Sequence, residues 1–327
     1  LYFLHTHKGI VGNSNELAQA NKLVGHKLMK NEINALSFKA KVLRLKTYAT
    51  YFFIIRDFKN CYTYSKKMVG LLEMYPKLLL LDAVAYVNAV NNLLNMTAHL
   101  DNKEEQTYYL NRLFEMMRDA KLKKNNSLQI KVFQAYYYHR ITSFIKGDFE
   151  QGLPCVYEME KGLKNYADEM DEMGQVMLCF YSFHIAFGAA KYTYAMKWLN
   201  RILAYQNHNI RQDIYCFTNI LKLVTACELN DLNVLKKVTP QVYAFLYKKE
   251  QQYKIETITL DFIQNMKCLT NKNKVKAAFV QLQNKLIQLN EDPFEKKTFA
   301  YFDFIVWTHS KITGKSFANI IKNGVTV

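Results

Sequence analysis

Half of the 327 residues are apolar and 14% are aromatic, ample for a continuous hydrophobic core, yet only 4 Pro and 11 Gly are present. So few turn-formers exclude a β-sandwich or a doubly wound sheet and point to an all-α chain. The formal charge of +16 favours acidic partners, nucleic acid or an anionic surface.

In chain order, Leu1 to His7 reads as the end of a helix, followed by the loop Lys8 to Ser14 and a second helix at about 15–29. This opening hairpin, 1–30, lacks its first half and implies a piece of a longer protein. Helical hairpins are then expected at about 31–75, 77–118, 126–166, 169–206, 210–249 and 252–289, with a C-terminal capping unit at 293–323. Pro76 and Pro293 fall at junctions, where proline can start a helix but not continue one. Pro240 falls inside the second helix of 210–249 and is expected to break it in two.

The clearest hairpin runs from Phe133 to Tyr166. Phe133, Tyr137, Ile141 and Phe144 share one helix face before the turn; Phe149, Leu153, Val156, Met159 and Leu163 share one after it. Gly147 suits a left-handed helix end, Asp148 a following N-cap, and Gln151 completes a capping-box pattern. Gly152 falls where two helices approach closely. Comparable turns recur at Arg56-Asp57-Phe58, Leu100-Asp101-Asn102, Lys191-Tyr192, Asn230-Asp231-Leu232, Asn271 to Lys274 and Gly314-Lys315-Ser316-Phe317. The steps of roughly 40 to 47 residues fit an α-helical solenoid. A small residue stands four past the capping position at Cys61, Gly152 and Ala195.

Lys146-Gly147-Asp148-Phe149-Glu150-Gln151-Gly152, and in part Arg56-Asp57-Phe58-Lys59-Asn60-Cys61, resemble the Gly-Asp-aromatic turn of the tetratricopeptide family. The period exceeds the 34 residues of that family, and the expected Trp of the first helix is missing. The resemblance implies one α-α superhelix through 1–327, a single α-solenoid of antiparallel hairpins. It further implies that the first helix of each pair lines a concave groove that holds a peptide or a partner helix. The family's groove positions, carried onto this chain, are Lys46 and Thr50, Gln134 and Tyr137, and His184. Arg140, one helical turn past Tyr137, joins them as a fixed donor fork. In later units the equivalent positions, Phe180, Ile220 and Val224, turn apolar and imply either a hydrophobic groove or a closed one.

Chemistry-bearing patterns are sparse. His5-Thr6-His7 has no third ligand in pattern, and His139 and His184 read as satisfied structural histidines. No phosphate-binding glycine loop, His-Glu-x-x-His or Gly-x-Ser-x-Gly occurs. Glu104-Glu105 and Asp171-Glu172 begin helices, as the helix dipole favours. An enzyme, a metal and a cofactor are therefore not expected. The six cysteines form no Cys-x-x-Cys pair and read as reduced core residues, hence a cytoplasmic protein. Leu78 to Met96 is the most apolar stretch, and Asp82, Asn88, Asn91, Asn92 and Asn95 interrupt it, so no membrane span is expected.

Three functions remain. The first is a non-enzymatic scaffold for a protein or peptide partner, acidic in the light of the charge. The second is a nucleic-acid binder drawing on the lysines. Against it, lysine pairs such as Lys66-Lys67, Lys236-Lys237, Lys248-Lys249 and Lys296-Lys297 are scattered, and arginine, the better phosphate and base reader, is scarce. The third is a ligand-sensing regulatory domain fused to an effector.

Overall fold

In the computed structural model, residues 14–75, 82–205, 212–247, 253–266, 271–292 and 295–324 are described. The histidines at 5 and 7, the prolines at 76 and 293, Cys268 and the 248–249 lysine pair lie outside them. The described residues form helices and turns with no strand. In order, the helices are α1 Ser14–Val24, α2 Lys27–Lys30, α3 Phe38–Ile54, α4 Phe58–Glu73, α5 Ala83–His99, α6 Lys103–Arg118, α7 Asn126–Thr142 and α8 Phe149–Tyr166. There follow α9 Glu172–Gly188, α10 Tyr192–Leu203, α11 Gln212–Leu229, α12 Leu232–Tyr247, α13 Lys254–Met266, α14 Lys272–Glu291, α15 Phe304–Thr313 and α16 Phe317–Asn323. Neighbouring helices pack in consecutive pairs. Contacts gather the chain into two units, 1–139 and 140–327, with the boundary inside α7.

One turn joins the helices of five successive hairpins. A left-handed residue stands at Arg56, Asp101, Gly147, Ala190 and Asn230, each just before the next N-cap. At four of them the N-cap N–H reaches the carbonyl five residues back: Asp57 to Phe52 at 2.9 Å, Asn102 to Thr97 at 2.9 Å, Lys191 to Ala186 at 2.8 Å and Asp231 to Ala226 at 3.0 Å. This is the helix-ending bond that satisfies carbonyls left over at a C-terminus. It holds although four of the five left-handed residues carry a Cβ, at about 1–2 kcal/mol of strain each.

Capping side chains then start most helices. Asp57 accepts from the Asn60 N–H at 3.0 Å, Asn102 from Glu105 at 3.2 Å, Asp171 from Gly174 at 2.7 Å and Asp303 from Val306 at 2.9 Å. Asp148 departs from the expected capping box. It occupies the N-cap position but makes no side-chain cap bond, and its Oδ1 accepts from Lys322 Nζ at 2.7 Å instead. Pro240 also departs from expectation, because α12 runs unbroken through it. Val238, Thr239, Val242 and Leu246 are buried around the proline, and their packing outweighs one lost backbone bond.

The apolar stripe read for α8 is the buried one: Phe149, Leu153, Val156, Met159 and Leu163 are all in the core. The small residues Cys61, Gly152 and Ala195 are buried too. Successive second helices are clamped by a repeated polar trio. In the first unit, Glu105 on α6 accepts from Tyr62 and pairs with Lys66 Nζ at 2.8 Å, both on α4. In the second, Glu160 on α8 accepts from Tyr194 at 2.7 Å and from Lys197, both on α10. Each lysine also lies over its tyrosine ring, at 5.5 and 5.6 Å.

Candidate interaction face

The common turn allows the first helices to be compared position by position. Thirteen, ten and six residues before each left-handed residue stand Leu43, Lys46 and Thr50 on α3, then Asn88, Asn91 and Asn95 on α5. Gln134, Tyr137 and Ile141 follow on α7, then Met177, Phe180 and His184 on α9, then Phe217, Ile220 and Val224 on α11. The character of this face changes sharply between the two units.

In the first unit it is mostly polar, the exceptions being exposed Leu43 and buried Tyr137. Lys46 and Asn88 are exposed; Thr50, Asn91, Asn95 and Gln134 are half-buried. Exposed Asn92 extends the row on α5. The buried Nε2 of His139 bonds Asn91 Oδ1 at 2.9 Å. Burial drives the His139 pKa down to about 3, so the ring is neutral and Nε2–H donates, which turns the Asn91 oxygen inward. Gln134 Oε1 is buried and accepts no hydrogen bond from any described group. Side-chain amides offer a donor and an acceptor side by side, the pattern that a peptide main chain requires. The unit is also basic: residues 1–139 contain 20 Lys and Arg against 10 Asp and Glu.

In the second unit the same face is largely apolar, and the chain's own C-terminal residues lie against Phe217 and His184 on it. Tyr301 stacks on Phe217 at 4.4 Å. Phe302 lies 5.1 Å from Phe187, 6.4 Å from Phe183 and 6.2 Å from His184. His184 makes a hydrogen bond to the Tyr301 backbone, and burial pulls its pKa down to about 4. Trp307 Nε1 donates to the carboxylate of Glu228 at 2.7 Å, and Lys311 pairs with the same carboxylate. The segment expected as a terminal cap therefore lies back across α9 and α11.

Two of the residues singled out from sequence do not present themselves as expected. Tyr137 is only 8% exposed, with its ring 4.7 Å from Phe133 and 5.0 Å from Tyr136, so it serves packing. His184 is engaged by the C-terminal segment. Lys46 and Arg140 are exposed, Arg140 with its guanidinium 5.8 Å from the Phe144 ring. The α5 asparagines were missed as face residues. Their spacing of three, four and seven, counted back from Asp101, is the signal that finds them.

Reactive chemistry is muted. Burial pushes the Cys61 thiol up to about 11 and those of Cys155 and Cys179 up to about 12, which keeps them protonated at neutral pH. Among the described residues no group of three or more His, Cys, Asp and Glu could hold a metal, and no helix is long and apolar enough to cross a membrane. No family model, curated protein or solved structure matches the chain.

Proposed function

We propose that the protein is a non-enzymatic interaction scaffold, a divergent tetratricopeptide-like solenoid, that holds an extended polypeptide segment along the first helices of its hairpins. The observation that carries this reading is the contrast between its two units. The first-helix face of residues 140–327 holds a stretch of the chain itself, with Tyr301 and Phe302 against Phe217, Phe183, His184 and Phe187. The equivalent face of residues 1–139 exposes Lys46 and Asn88 beside half-buried Thr50, Asn91, Asn95 and Gln134, with Leu43 its exposed apolar member. An amphipathic helix has satisfied its own backbone and offers an apolar stripe, a poor match for amides. An extended segment offers free N–H and C=O groups, and the basic charge of the unit favours an acidic one.

The test is a displayed library of acidic and neutral peptides screened against wild type and the Lys46→Ala/Asn88→Ala/Asn95→Ala variant. Acidic hits weakened on the order of tenfold in the variant, with circular dichroism unchanged, support the reading. Equal binding by both proteins refutes it. Single-stranded DNA offered at about 50 and about 200 mM salt tests the nucleic-acid alternative, for which steep loss of affinity with salt is the mark.

A further inference from the structure

The C-terminal residues of the second unit are held unevenly. On α15, Phe304, Val306, Trp307 and Thr308 are all buried. Beyond it, α16 has seven residues and one buried side chain, Ile320. Between the two stands Gly314, left-handed at φ 72°, with open space where a Cβ would point. It ends α15 as a left-handed cap, its N–H donating to the Ser310 carbonyl at 2.9 Å, and α16 begins beyond it.

What α16 covers is specifically shaped. Phe317 stacks on Phe302 at 5.5 Å and 12°, and lies 5.5 Å from Phe187 and 6.0 Å from Phe149. The floor of this slot depends on Gly188, because a Cβ there would lie 2.3 Å from the Phe149 ring. At the far end, Lys322 pairs with Asp148, whose side chain has left its capping role. The other four left-handed turns have φ between 53° and 62°, but Gly147 is at 114°. A Cβ on Gly147 would meet Lys322 Cβ at 2.8 Å and its backbone at 3.1 Å. The turn is thus adapted to the close approach of α16. Yet the tie itself is weak, for the Lys322 side chain is 61% exposed and that of Asp148 39%, and such pairs contribute little.

We propose that residues 315–324 form a detachable strap over a polypeptide-binding slot built from Phe149, Phe187, Phe302, Gly147 and Asp148. Its external ligand is a segment of another polypeptide with the same chemistry, an aromatic side chain followed five residues later by Lys or Arg. This slot is separate from the amide face of the first unit and does not rest on its role. Because the strap is tethered, it competes at an effective concentration in the millimolar range, so the slot answers only to a partner that outbids it or to release of the strap.

The probe is a fluorescein-labelled peptide of residues 313–324, titrated by anisotropy into the full chain. Wild type and the Phe317→Ala/Lys322→Ala variant are compared, with and without Asp148→Lys. The peptide is expected to bind the double variant on the order of tenfold more tightly than wild type, and to lose that gain when Asp148→Lys is added. Equal binding to wild type and double variant, or none to a double variant with native tryptophan emission, overturns the proposal. Hydrogen exchange on wild type gives a second reading that needs no variant. Amides of residues 317–323 are expected to exchange at least about tenfold faster than those of residues 304–313. Exchange of both segments as one block overturns the strap.

Discussion

Replacing Glu228 by Leu should cost the second unit about 2 kcal/mol, a sum that follows from what its carboxylate holds. The side chain is only 5% exposed, sits near the end of α11, and accepts from Trp307 and Lys311 on α15. It also accepts from Tyr192 at the start of α10, whose hydroxyl is pushed up by burial and by this neighbour. Leucine strands the Trp307 indole N–H in a site 1% exposed, at about 1–3 kcal/mol, and the half-buried Tyr192 hydroxyl at about 1 kcal/mol. Lys311 is one-third exposed and can turn to water, so its share is below about 1 kcal/mol. Against these stands the removal of a buried carboxylate and the gain of apolar area, about 1–2 kcal/mol. Glu228→Gln keeps an acceptor for Trp307 and should cost about 1 kcal/mol. Trp198 and Trp307 are the only tryptophans and both belong to residues 140–327, so their emission follows this unit alone. With a slope of about 2 kcal/mol per molar urea, Leu should lower the midpoint by about 1 M and Gln by about half a molar. An unchanged midpoint for Glu228→Leu, or equal shifts for both, would show that the carboxylate is not the hub inferred here.

Gly152→Leu should destabilise the same unit by about 1–3 kcal/mol, since even a Cβ there lies 3.0 Å from Ile185 Cδ1 and 3.0 Å from Phe144 Cβ; an unaltered tryptophan melting curve would refute the close approach. Below pH 6.5 the unfolded chain protonates His184 first, while the folded unit resists until about pH 4. Stability of the second unit should therefore fall over that interval, and His184→Gln should flatten the fall. Parallel pH profiles for wild type and variant would rule out this histidine as the cause.

Much of the hairpin architecture was legible because its signals are local. Left-handed Arg56, Asp101, Gly147 and Asn230 fall in the turns read from sequence, and the stripe from Phe149 to Leu163 is buried as its period required. Failures arose where a distant partner decided. Asp148 is a sound N-cap by neighbourhood, but its side chain makes no cap bond and turns to Lys322, 174 residues away. Tyr137 belongs both to the apolar stripe with Phe133 and Ile141 and to the groove positions, and the stripe is the better guide, since its ring is buried against Phe133 and Tyr136. Phe302 and Phe317 gave no warning, since a chain with 44 Phe and Tyr offers too many candidate aromatic partners. The asparagines of α5 were legible as polar breaks in an apolar run, and only the aligned turns convert them into a face.

The span of the ties differs between the two units, and with it the way each comes apart. In the first, the bond between His139 and Asn91 closes a loop of 48 residues, close to the interval between successive hairpin turns. Contacts of that reach make a chain of nearest neighbours, which frays one hairpin at a time and tolerates loss of an end. In the second, Glu295 caps the backbone N–H groups of Lys254 and Ile255 across 41 and 40 residues, and Trp307 reaches Glu228 across 79. Closing the longest of these costs only about 0.5 kcal/mol more entropy than closing 48 residues. The result is a circuit in which α11, α13 and α15 share their fate with residues more than one hairpin away. These helices melt as one block and nucleate slowly, because their widest loop must form before the contacts that reward it. Removing residues 295–313 should then loosen α11 as much as α13.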